Sequence, residues 1–406
     1  MPNTFNVDTV LNARRLLGAA QRGLGDLSAV MASPPTITNP AADGNASTIQ
    51  AGQGINAGTF SPGDPTRVTL FGGPAIDQGN NAKWRIQTLS RQAGARFQGH
   101  SACEAFFTNS PSVDFALRCN GARWIAYVTN PDGVRARIAA TDQAQAFANL
   151  NYYKLDFGSA AGGGRLVEIY LGQGSNFGGI NVPNGYSIWP ADLAQQPKIA
   201  AVWDSFGEGS MNDLTLNLKL ATIDWFSAVF GCNNPHVNAI ASTGVIATAG
   251  ANNYLTFGQR VAAGDMDASR VGHFDLVSAF GSVNDGLTAN GGIASPAGDA
   301  TVQAAYQAYI AALMIAQPRA IIVGAGPEMS NAAAAVASRT AAYKAGFTAA
   351  AKGDGRMIWL DGSVFERTGD TGVIGVDGVH PGGVFGARHL GERLARQTVN
   401  YLSRLA

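Results

Sequence analysis

From residue 198 onward, short continuous apolar runs alternate with longer segments of helical patterning. The apolar runs are KIAAVW (198–203), HVNAIAS (236–242), FDLVSAFG (274–281), AIIVGA (320–325) and RMIWLDG (356–362). Such runs are typical of parallel strands that are covered on both faces. The main helical segments are 301–317, 331–352 and 383–404. This order predicts a three-layer αβα parallel sheet with right-handed crossovers.

Between residues 65 and 190 the apolar residues recur with a period of two, and turn signals such as NPDG and AAGGG separate the stretches. In SVDFALR, Val113, Phe115 and Leu117 alternate with polar residues, which indicates a strand with one face in a core. The predicted strands are 66–71, 82–87, 112–118, 123–129, 134–140, 152–158 and 164–171. Many short strands at even spacing predict an antiparallel β-sandwich, of the jelly-roll kind.

The first 60 residues differ from both regions. Residues 7–31 have apolar side chains at helical spacing, and a stretch rich in Pro, Gly, Asn and Ala follows them. Two interpretations stay open for this segment, a disordered leader or an attachment to a larger assembly. A chain of 406 residues exceeds one ordinary core. We therefore expect residues 1–60 to precede a β-sandwich domain at 61–192 and an α/β domain at 193–406.

Charge and hydropathy make several classes of partner unexpected. Basic and acidic residues number 28 each, with no basic stripe, so neither nucleic acid nor an anionic membrane is an expected partner. No stretch is long enough to span a bilayer, and arginines interrupt the apolar run of the N-terminus, which lacks a signal-peptide core. No phosphate-binding or dinucleotide fingerprint is present, and GDMDAS lacks the other ligands of a calcium loop. We expect no cofactor and no metal.

The three cysteines are too few for a disulfide scaffold and lack the spacing of a zinc site. Cys103 and Cys119 could pair across adjacent strands. Burial as small apolar side chains is the favoured interpretation.

Three motifs follow predicted parallel strands, at the sheet edge where open parallel sheets gather their functional side chains. They are DSFGEG (204–209), GSVND (281–285) and DGVHP (377–381). A serine hydroxyl becomes a nucleophile when an imidazole takes its proton, and the imidazole needs a carboxylate to orient it. An Asp three residues before a His can fold back onto it within one short loop. The motifs thus contain the residue types of an acyl-transfer site, with an Asn amide that could donate to an oxyanion.

In these motifs the sequence resembles the SGNH, or GDSL-type, hydrolase superfamily. The matching blocks are WDSFGEG, the glycine of ASTGV, GSVND and DGVHP, in the order of the family across residues 198–404. The resemblance implies Ser205 as the nucleophile, His380 as the general base and then acid, and Asp377 as its orienting carboxylate. It also implies an oxyanion hole made by the Ser205 N–H, the Gly244 N–H and the Asn284 side chain.

Two positions in these blocks leave alternatives open. Where the family usually has a glycine before Asp-Ser, this chain has Trp203, which we expect either to contact substrate or to take part in the sheet packing. Gly250 is a rival of Gly244 for the second block. Taken singly, each motif also has an ordinary explanation, because Ser205 could cap a helix and the other two motifs could be turns.

The predicted β-sandwich narrows the expected substrate. A jelly roll before an SGNH domain is similar to the layout of carbohydrate esterases that deacetylate polysaccharides, and residues 155–190 resemble the closing strands of that accessory domain. The resemblance implies a serine carboxylic ester hydrolase (EC 3.1.1.-) that removes O-acetyl groups from a glycan through an acyl-enzyme. Aromatic candidates for glycan contact are Trp84, Trp124, Tyr152, Tyr153, Tyr186 and Trp189, although core packing is the favoured interpretation for most of them.

Other functions and locations stay open. The same triad could hydrolyse lipid or thioester acyl groups, and activity would then rise with acyl length. The chain could instead be a catalytically degenerate glycan-binding or structural protein, and a fluorophosphonate probe would then leave Ser205 unlabelled. A bacterial extracellular or cell-surface enzyme and a component of a bacteriophage particle are both compatible with the sequence, as is a homo-oligomer.

Overall fold

The computed structural model describes residues 7–29, 31–38, 69–71, 75–77, 84–86, 102–138, 143–146, 151–171, 175–191, 196–209, 220–248, 254–285, 298–327, 333–361 and 372–405. The described residues form two compact units. The α/β unit contains helix α1 (Val7–Ala20) and the described residues from 196 onward. The β unit contains the described residues from 26 to 191.

The β unit is a network of antiparallel strands. Its strands are β1 (Thr36–Thr38), β2 (Thr69–Phe71), β3 (Ala75–Asp77), β4 (Trp84–Ile86), β5 (Ala102–Thr108), β6 (Ser112–Thr129), β7 (Arg135–Arg137), β8 (Gln143–Ala146), β9 (Asn151–Asp156), β10 (Arg165–Leu171), β11 (Ser175–Asn181) and β12 (Ile188–Pro190). The prediction of an antiparallel region is confirmed.

Strand β6 organises this unit because it is 18 residues long and pairs with two sets of neighbours. Its first half pairs with β9 and β11, and its second half pairs with β7, β8 and β10. The sequence predicts two strands here, at 112–118 and 123–129. The structure forms one strand, since pairing with β8 bridges the predicted gap. Val113, Phe115 and Leu117 are all buried in the core of the unit, as their alternation predicts.

The α/β unit is built on a parallel sheet of five strands, in the order β14–β13–β15–β16–β17. These strands are β13 (Ile199–Trp203), β14 (His236–Ala239), β15 (Leu276–Gly281), β16 (Ile321–Pro327) and β17 (Met357–Trp359). Each one falls on a predicted apolar run. The mixed α/β fold class, with antiparallel strands followed in sequence by a parallel sheet, is thereby confirmed.

Helices cover both faces of the parallel sheet. The helices after α1 are α2 (Ser205–Glu208), α3 (Thr222–Val229), α4 (Phe257–Ala262), α5 (Ala268–Val271), α6 (Asp299–Ala316), α7 (Ala333–Ala351) and α8 (Gly383–Leu402). Helices α1, α3 and α8 share one hydrophobic core, and α4, α6 and α7 share another. Ile199, Ala201 and Trp203 of β13 point into the first core, and Ala200 and Val202 point into the second. Burial on both faces explains the continuous apolar sequence of the strand.

Three helices of the α/β unit are close to their predicted positions, and one is shorter than predicted. Helices α6, α7 and α8 match the predicted segments to within two residues at each end. Helix α1 ends at Ala20 rather than near residue 31, and Gly23 and Gly25 beyond it adopt positive φ angles of 53° and 73°. Left-handed backbone at two glycines stops the helix. None of the described helices is both long and apolar enough to cross a membrane.

Candidate active site

Ser205 lies two residues after the end of strand β13, at the first position of the short helix α2. Asp204 caps this helix, since its Oδ1 atom accepts a hydrogen bond of 3.1 Å from the backbone N–H of Phe206. Gly209, with a φ of 95°, ends the helix in the left-handed region. The capping function that the sequence left open for Ser205 is therefore performed by Asp204, and the Ser205 hydroxyl makes a different contact.

That contact is with the imidazole of His380. The Ser205 Oγ atom lies 3.0 Å from His380 Nε2, and His380 Nδ1 lies 2.7 Å from Asp377 Oδ2. Asp377 Oδ1 accepts the backbone N–H groups of Val379 and His380, each at 3.0 Å. One short loop thus holds both Asp377 and His380, as the three-residue spacing predicts. The structure brings the three predicted triad residues into one hydrogen-bonded chain.

Burial and charge differ along this chain of residues. Ser205 is only 6% exposed, whereas the side chains of His380 and Asp377 are 23% and 35% exposed. Partial burial acts to raise the pKa of Asp377, but hydrogen bonds from the Val379 N–H and from His380 outweigh it and lower that pKa below its usual value. Asp377 is therefore a carboxylate at neutral pH, which is the form that stabilises a protonated imidazole.

Gly244 lies in the loop after strand β14, against the carboxylate of Asp285. A Cβ atom at Gly244 would come within 2.3 Å of Asp285 Oδ1. Asp285 accepts hydrogen bonds from the backbone N–H groups of Val245, Ile246 and Ala247, at 2.9, 3.0 and 2.9 Å. Only a glycine leaves room for this arrangement. The N–H of Gly244 itself donates to the carbonyl of Ala247 at 3.0 Å.

Asn284 lies among oxygen atoms at the end of strand β15. Its Nδ2 atom is 3.1 Å from the Thr243 carbonyl, 3.1 Å from Ser282 Oγ and 3.4 Å from Asp204 Oδ2. Ser282 Oγ also makes a short hydrogen bond to Asp204 Oδ2. Burial raises the pKa of Asp204 to about 6, although hydrogen bonds from Ser282 and from the Phe206 N–H oppose the shift. Asn284 thus connects the loop of Gly244 to the residue that precedes Ser205.

Comparison with known proteins shows which solved structures share the fold of this chain. No protein-family model and no curated protein sequence matches the chain. Among solved structures, an active-site mutant of a family two carbohydrate esterase from Clostridium thermocellum has a TM-score of 0.60 at 14% identity. The match covers 83% of this chain and 99% of that one.

Two further structures are similar. A salicylyl-acyltransferase, SsfX3, from a tetracycline biosynthetic pathway has a TM-score of 0.60 at 15% identity, over 84% of this chain and 96% of its own. The acetyl xylan esterase Est2A from the rumen bacterium Butyrivibrio proteoclasticus has a TM-score of 0.55 at 12% identity, over 92% and 98%. The chain has the fold of these two esterases and of the acyltransferase. The expected similarity to carbohydrate esterases is thereby confirmed at the level of the fold.

Gly244 and Trp203 make other contacts in the structure than those expected of an oxyanion donor and of a substrate-binding residue. The Gly244 N–H, expected to face an oxyanion, is engaged by Ala247. The indole of Trp203 is 2% exposed and stacks on Phe280, with ring centroids 4.7 Å apart. This position fits the sheet-packing interpretation of Trp203 and does not fit substrate contact. Gly250, the rival of Gly244, lies outside the described residues.

The aromatic candidates for glycan contact differ in how far the structure buries them. Trp124 and Tyr153 are 2% and 5% exposed in the core of the β unit, where Trp124 meets Phe115 edge-on and Tyr153 stacks on it. This agrees with the favoured core-packing interpretation and not with glycan contact. Tyr186 is half-buried against the same core, and Trp189 is 37% exposed. The side chains of Trp84 and Tyr152 lie outside the described residues. Cys103 and Cys232 are buried thiols, in agreement with the packing interpretation.

Sequence reasoning missed two residues that support the site. Arg260 lies on the buried face of α4 together with Phe257 and Val261. The i, i+3, i+4 spacing of these residues was the available signal, because it places a charged side chain on an apolar face. Tyr343 of α7 donates a hydrogen bond to the Asp285 carboxylate and accepts one from the Ser282 N–H. In the part of the chain that the structure describes, no cluster of three or more His, Cys, Asp or Glu residues could hold a metal ion.

Proposed function

We propose that this protein is a serine esterase that removes O-acetyl groups from a polysaccharide through an acyl-enzyme. The observation that carries the proposal is the continuous chain of contacts from the Ser205 hydroxyl through His380 to Asp377, with distances of 3.0 and 2.7 Å. A serine at hydrogen-bond distance from an imidazole that is itself oriented by a carboxylate is the arrangement needed to activate a hydroxyl.

The proposed reaction has two halves. His380 Nε2 takes the hydroxyl proton while Ser205 Oγ attacks the acetyl carbonyl, and Asp377 stabilises the imidazolium that forms. The tetrahedral intermediate then collapses, and His380 returns the proton to the sugar oxygen, which leaves as an alcohol. A water molecule loses a proton to His380 and attacks the acetyl-serine. Collapse of the second intermediate releases acetate and restores the Ser205 hydroxyl.

The oxyanion of both intermediates needs hydrogen-bond donors. We assign this role first to the Ser205 N–H and to the Asn284 amide, which must direct one of its two N–H bonds away from its present acceptors. Gly244 was the third candidate. Its N–H would have to leave the Ala247 carbonyl, so we propose that Gly244 is a glycine chiefly to admit the Asp285 carboxylate.

The proposed substrate class rests on the similar structures. The enzyme from Clostridium thermocellum is a carbohydrate esterase, and that from Butyrivibrio proteoclasticus is an acetyl xylan esterase. Both alignments span more than four fifths of this chain. We therefore propose an acetylated glycan as the substrate of this chain.

A second candidate is acyl transfer to an alcohol other than water. The observation that favours it is the similarity to the salicylyl-acyltransferase, which has the same TM-score of 0.60 as the carbohydrate esterase. The first half of the reaction would be unchanged. The acyl-enzyme would then react with a hydroxyl of an acceptor molecule, and no free acid would be released.

We also propose the domain organisation that the sequence predicts, with a jelly-roll domain at 61–192 and the catalytic domain at 193–406. Helix α1 packs with α8 in the α/β unit, where Ala13 and Leu16 are fully buried. A role for residues 1–60 in attachment, for example to a bacteriophage particle, would accordingly fall to residues that follow α1.

The test is acetate release from a panel of acetylated polysaccharides, by the wild type, Ser205→Ala and the control Ser403→Ala, whose serine is exposed in the last turn of the chain. We expect the wild type and Ser403→Ala to release acetate, and Ser205→Ala to lose activity by at least about 10³-fold. A fluorophosphonate probe should label the wild type and leave Ser205→Ala unlabelled.

Three results would contradict this proposal. Hydrolysis of long-chain esters without acetate release from any glycan would identify a lipid esterase or thioesterase. Transfer of the acyl group to added alcohols in preference to water would identify an acyltransferase. A wild type that neither hydrolyses esters nor reacts with the probe would be a degenerate binding or structural protein.

A further inference from the structure

A fully buried arginine lies beneath the loops that carry the candidate site. Arg260 is 0% exposed, and its guanidinium lies over the ring of Phe257 at 4.9 Å. Burying a guanidinium costs several kcal/mol in general, and arginine does not neutralise itself by losing a proton. An apolar side chain of similar volume would often be as stable or more stable at such a position. Packing alone therefore does not explain why an arginine is buried at position 260.

The hydrogen bonds of Arg260 identify what it holds. Nη2 donates to the carbonyl of Trp203 at 3.0 Å and to Thr243 Oγ1 at 3.4 Å. Nη1 donates to the carbonyl of Asn238 at 3.1 Å and to Asn238 Oδ1 at 2.8 Å. Asn238 in turn donates to the carboxylate of Asp265 at 3.2 Å. One planar cation thus binds the ends of strands β13 and β14 and the loop that follows β14.

These acceptors stand next to the reacting groups. The Trp203 carbonyl belongs to the last residue of β13, two positions before Ser205. Thr243 immediately precedes Gly244, and its carbonyl accepts the Asn284 amide. The guanidinium therefore connects the backbone that carries the nucleophile to the loop that holds Asn284.

Helix α4 fixes the direction from which the guanidinium enters. A capping box between Thr256 and Gln259 begins the helix, with hydrogen bonds of 2.9 and 3.3 Å. The N–H of Phe257 donates to the carbonyl of Gly244 at 2.9 Å. The start of the helix is thereby attached to the same loop that Arg260 reaches. Both attachments restrict movement of Thr243 and Gly244.

We propose that Arg260 is a positioning residue for the esterase reaction, which sets the relative placement of the Ser205 backbone and the Thr243–Asn284 contact. This inference rests on the proposed function, since it assigns Arg260 to the same site. Arg260 acts through Trp203 and Thr243 and does not touch the substrate. A small displacement of reacting groups reduces turnover strongly, by as much as about 10²-fold for 1 Å. Loss of Arg260 should accordingly lower kcat and leave KM nearly unchanged.

The experiment compares the buried Arg260 with the half-buried Arg356, also of the α/β unit. Arg356 also donates to backbone carbonyls, those of Pro318 at 2.6 Å and Gln317 at 3.3 Å, but it does so before the start of β16, at the opposite edge of the sheet. Arg260→Met and the control Arg356→Met are assayed on p-nitrophenyl acetate, and their thermal unfolding is followed by circular dichroism. We expect kcat to fall by about 10- to 100-fold in Arg260→Met and to stay near the wild-type value in Arg356→Met.

Chemical rescue separates positioning from general structural damage. Millimolar guanidinium, added to Arg260→Ala, should restore part of kcat because it can occupy the vacated position and hydrogen-bond the same acceptors. Arg260→Lys retains the charge without the planar fork, and we expect it to recover less activity than guanidinium restores. If Arg260→Met does not fold, Arg260→Lys and the rescue of Arg260→Ala decide the question.

A folded Arg260→Met with wild-type kcat would overturn the positioning role. Equal losses of kcat in the Arg260 and Arg356 variants, with no rescue by guanidinium, would overturn it as well. In both cases the wild type would still be an esterase, and the proposed function would stand. A wild type without esterase activity or reaction with fluorophosphonate would instead contradict the proposed function, and the role of Arg260 with it.

Discussion

His380 Nε2 lies 3.0 Å from the hydroxyl oxygen of Ser205, although 175 residues separate the two in the sequence. Ser205 follows the strand β13, and His380 precedes the helix α8. Helix α8 packs closely on α3, where a Cβ atom at Gly391 would come within 2.4 Å of the Thr222 carbonyl. A Cβ atom at a second glycine of α8, Gly386, would come within 2.3 Å of the Val373 carbonyl. Close packing of α8 therefore positions the loop that carries the imidazole.

Replacement of Asp377 by asparagine should disable the imidazole without unfolding the protein. An amide nitrogen facing His380 Nδ1 favours the tautomer that carries its proton on Nε2, and that tautomer cannot accept the Ser205 proton. We expect kcat/KM for p-nitrophenyl acetate to fall by about 10³- to 10⁴-fold in Asp377→Asn. The control is Asp132→Asn, because Asp132 accepts a backbone N–H in a turn of the β unit. Full activity in Asp377→Asn would argue against a triad.

A methyl group at Gly244 should destabilise the loop that follows β14. The added Cβ atom would displace the Asp285 carboxylate from three backbone N–H groups. We expect Gly244→Ala to lose about 2–3 kcal/mol of unfolding free energy in urea titrations. Gly18→Ala is the matched control, because Gly18 lies in α1 with open space around it, and alanine there should stabilise by about 0.5–1 kcal/mol. Equal effects of the two substitutions would contradict this account.

The hydroxyl of Tyr343 should contribute more to stability than that of Tyr309. Tyr343 donates to the buried Asp285 carboxylate, and hydrogen bonds to charged groups are the stronger class. Tyr309 makes only a long contact of 3.5 Å to the Val202 carbonyl. We expect Tyr343→Phe to lose about 2–3 kcal/mol and Tyr309→Phe about 1 kcal/mol or less, measured by chemical denaturation. A reversed order would show that the Asp285 contact is not stabilising.

Asp204 should make stability depend on pH in the mildly acidic range. Burial raises the pKa of Asp204 to about 6 in the native protein, whereas an unfolded chain has an Asp pKa near ~4. Between these values the native state binds more protons than the unfolded state, so the contribution of Asp204 to the unfolding free energy falls as pH rises. The full loss, complete above about pH 6, corresponds to roughly 3 kcal/mol.

The measurement is the difference in unfolding free energy between the wild type and Asp204→Asn at several pH values. We expect this difference to shift against the wild type as pH rises from about 4 to about 7, because only the wild type loses that proton. Other titrating groups, such as His236 with a pKa lowered to about 4 by burial, are common to both proteins and cancel. Parallel stability curves would mean that the pKa of Asp204 is the same in the native and unfolded states.

The triad residues were predictable because their placement depends on local sequence. Ser205 follows an apolar run, and Asp377 and His380 are three residues apart, so their positions at strand ends and within one loop can be deduced from spacing. The contacts of Gly244 and Asn284 were not predictable in this way. Ala247 lies in the same loop as Gly244, in a turn that no motif marks, whereas Thr243 and Asp204, the partners of Asn284, belong to other loops. The sequence identified the candidates, and the loop packing decided their hydrogen bonds.

The fold, like the site, was predictable from the sequence only in part. The apolar runs predict all five parallel strands, yet the sequence does not predict β5, in which Glu104 is fully buried and its pKa is raised well above the usual range by desolvation. A glutamate within ACEAFFT contradicts the alternation expected of a strand.

By itself the sequence determined the order of the parallel strands and the main helices, and which residues could react, because these follow from the periodicity of apolar residues and from short motifs. Only the tertiary structure decided that Trp203 packs in the core, that β6 is continuous and that Arg260 lies buried beneath the site. These features depend on contacts between residues that are distant in sequence, and the energy of such contacts is set by close packing and desolvation rather than by local pattern.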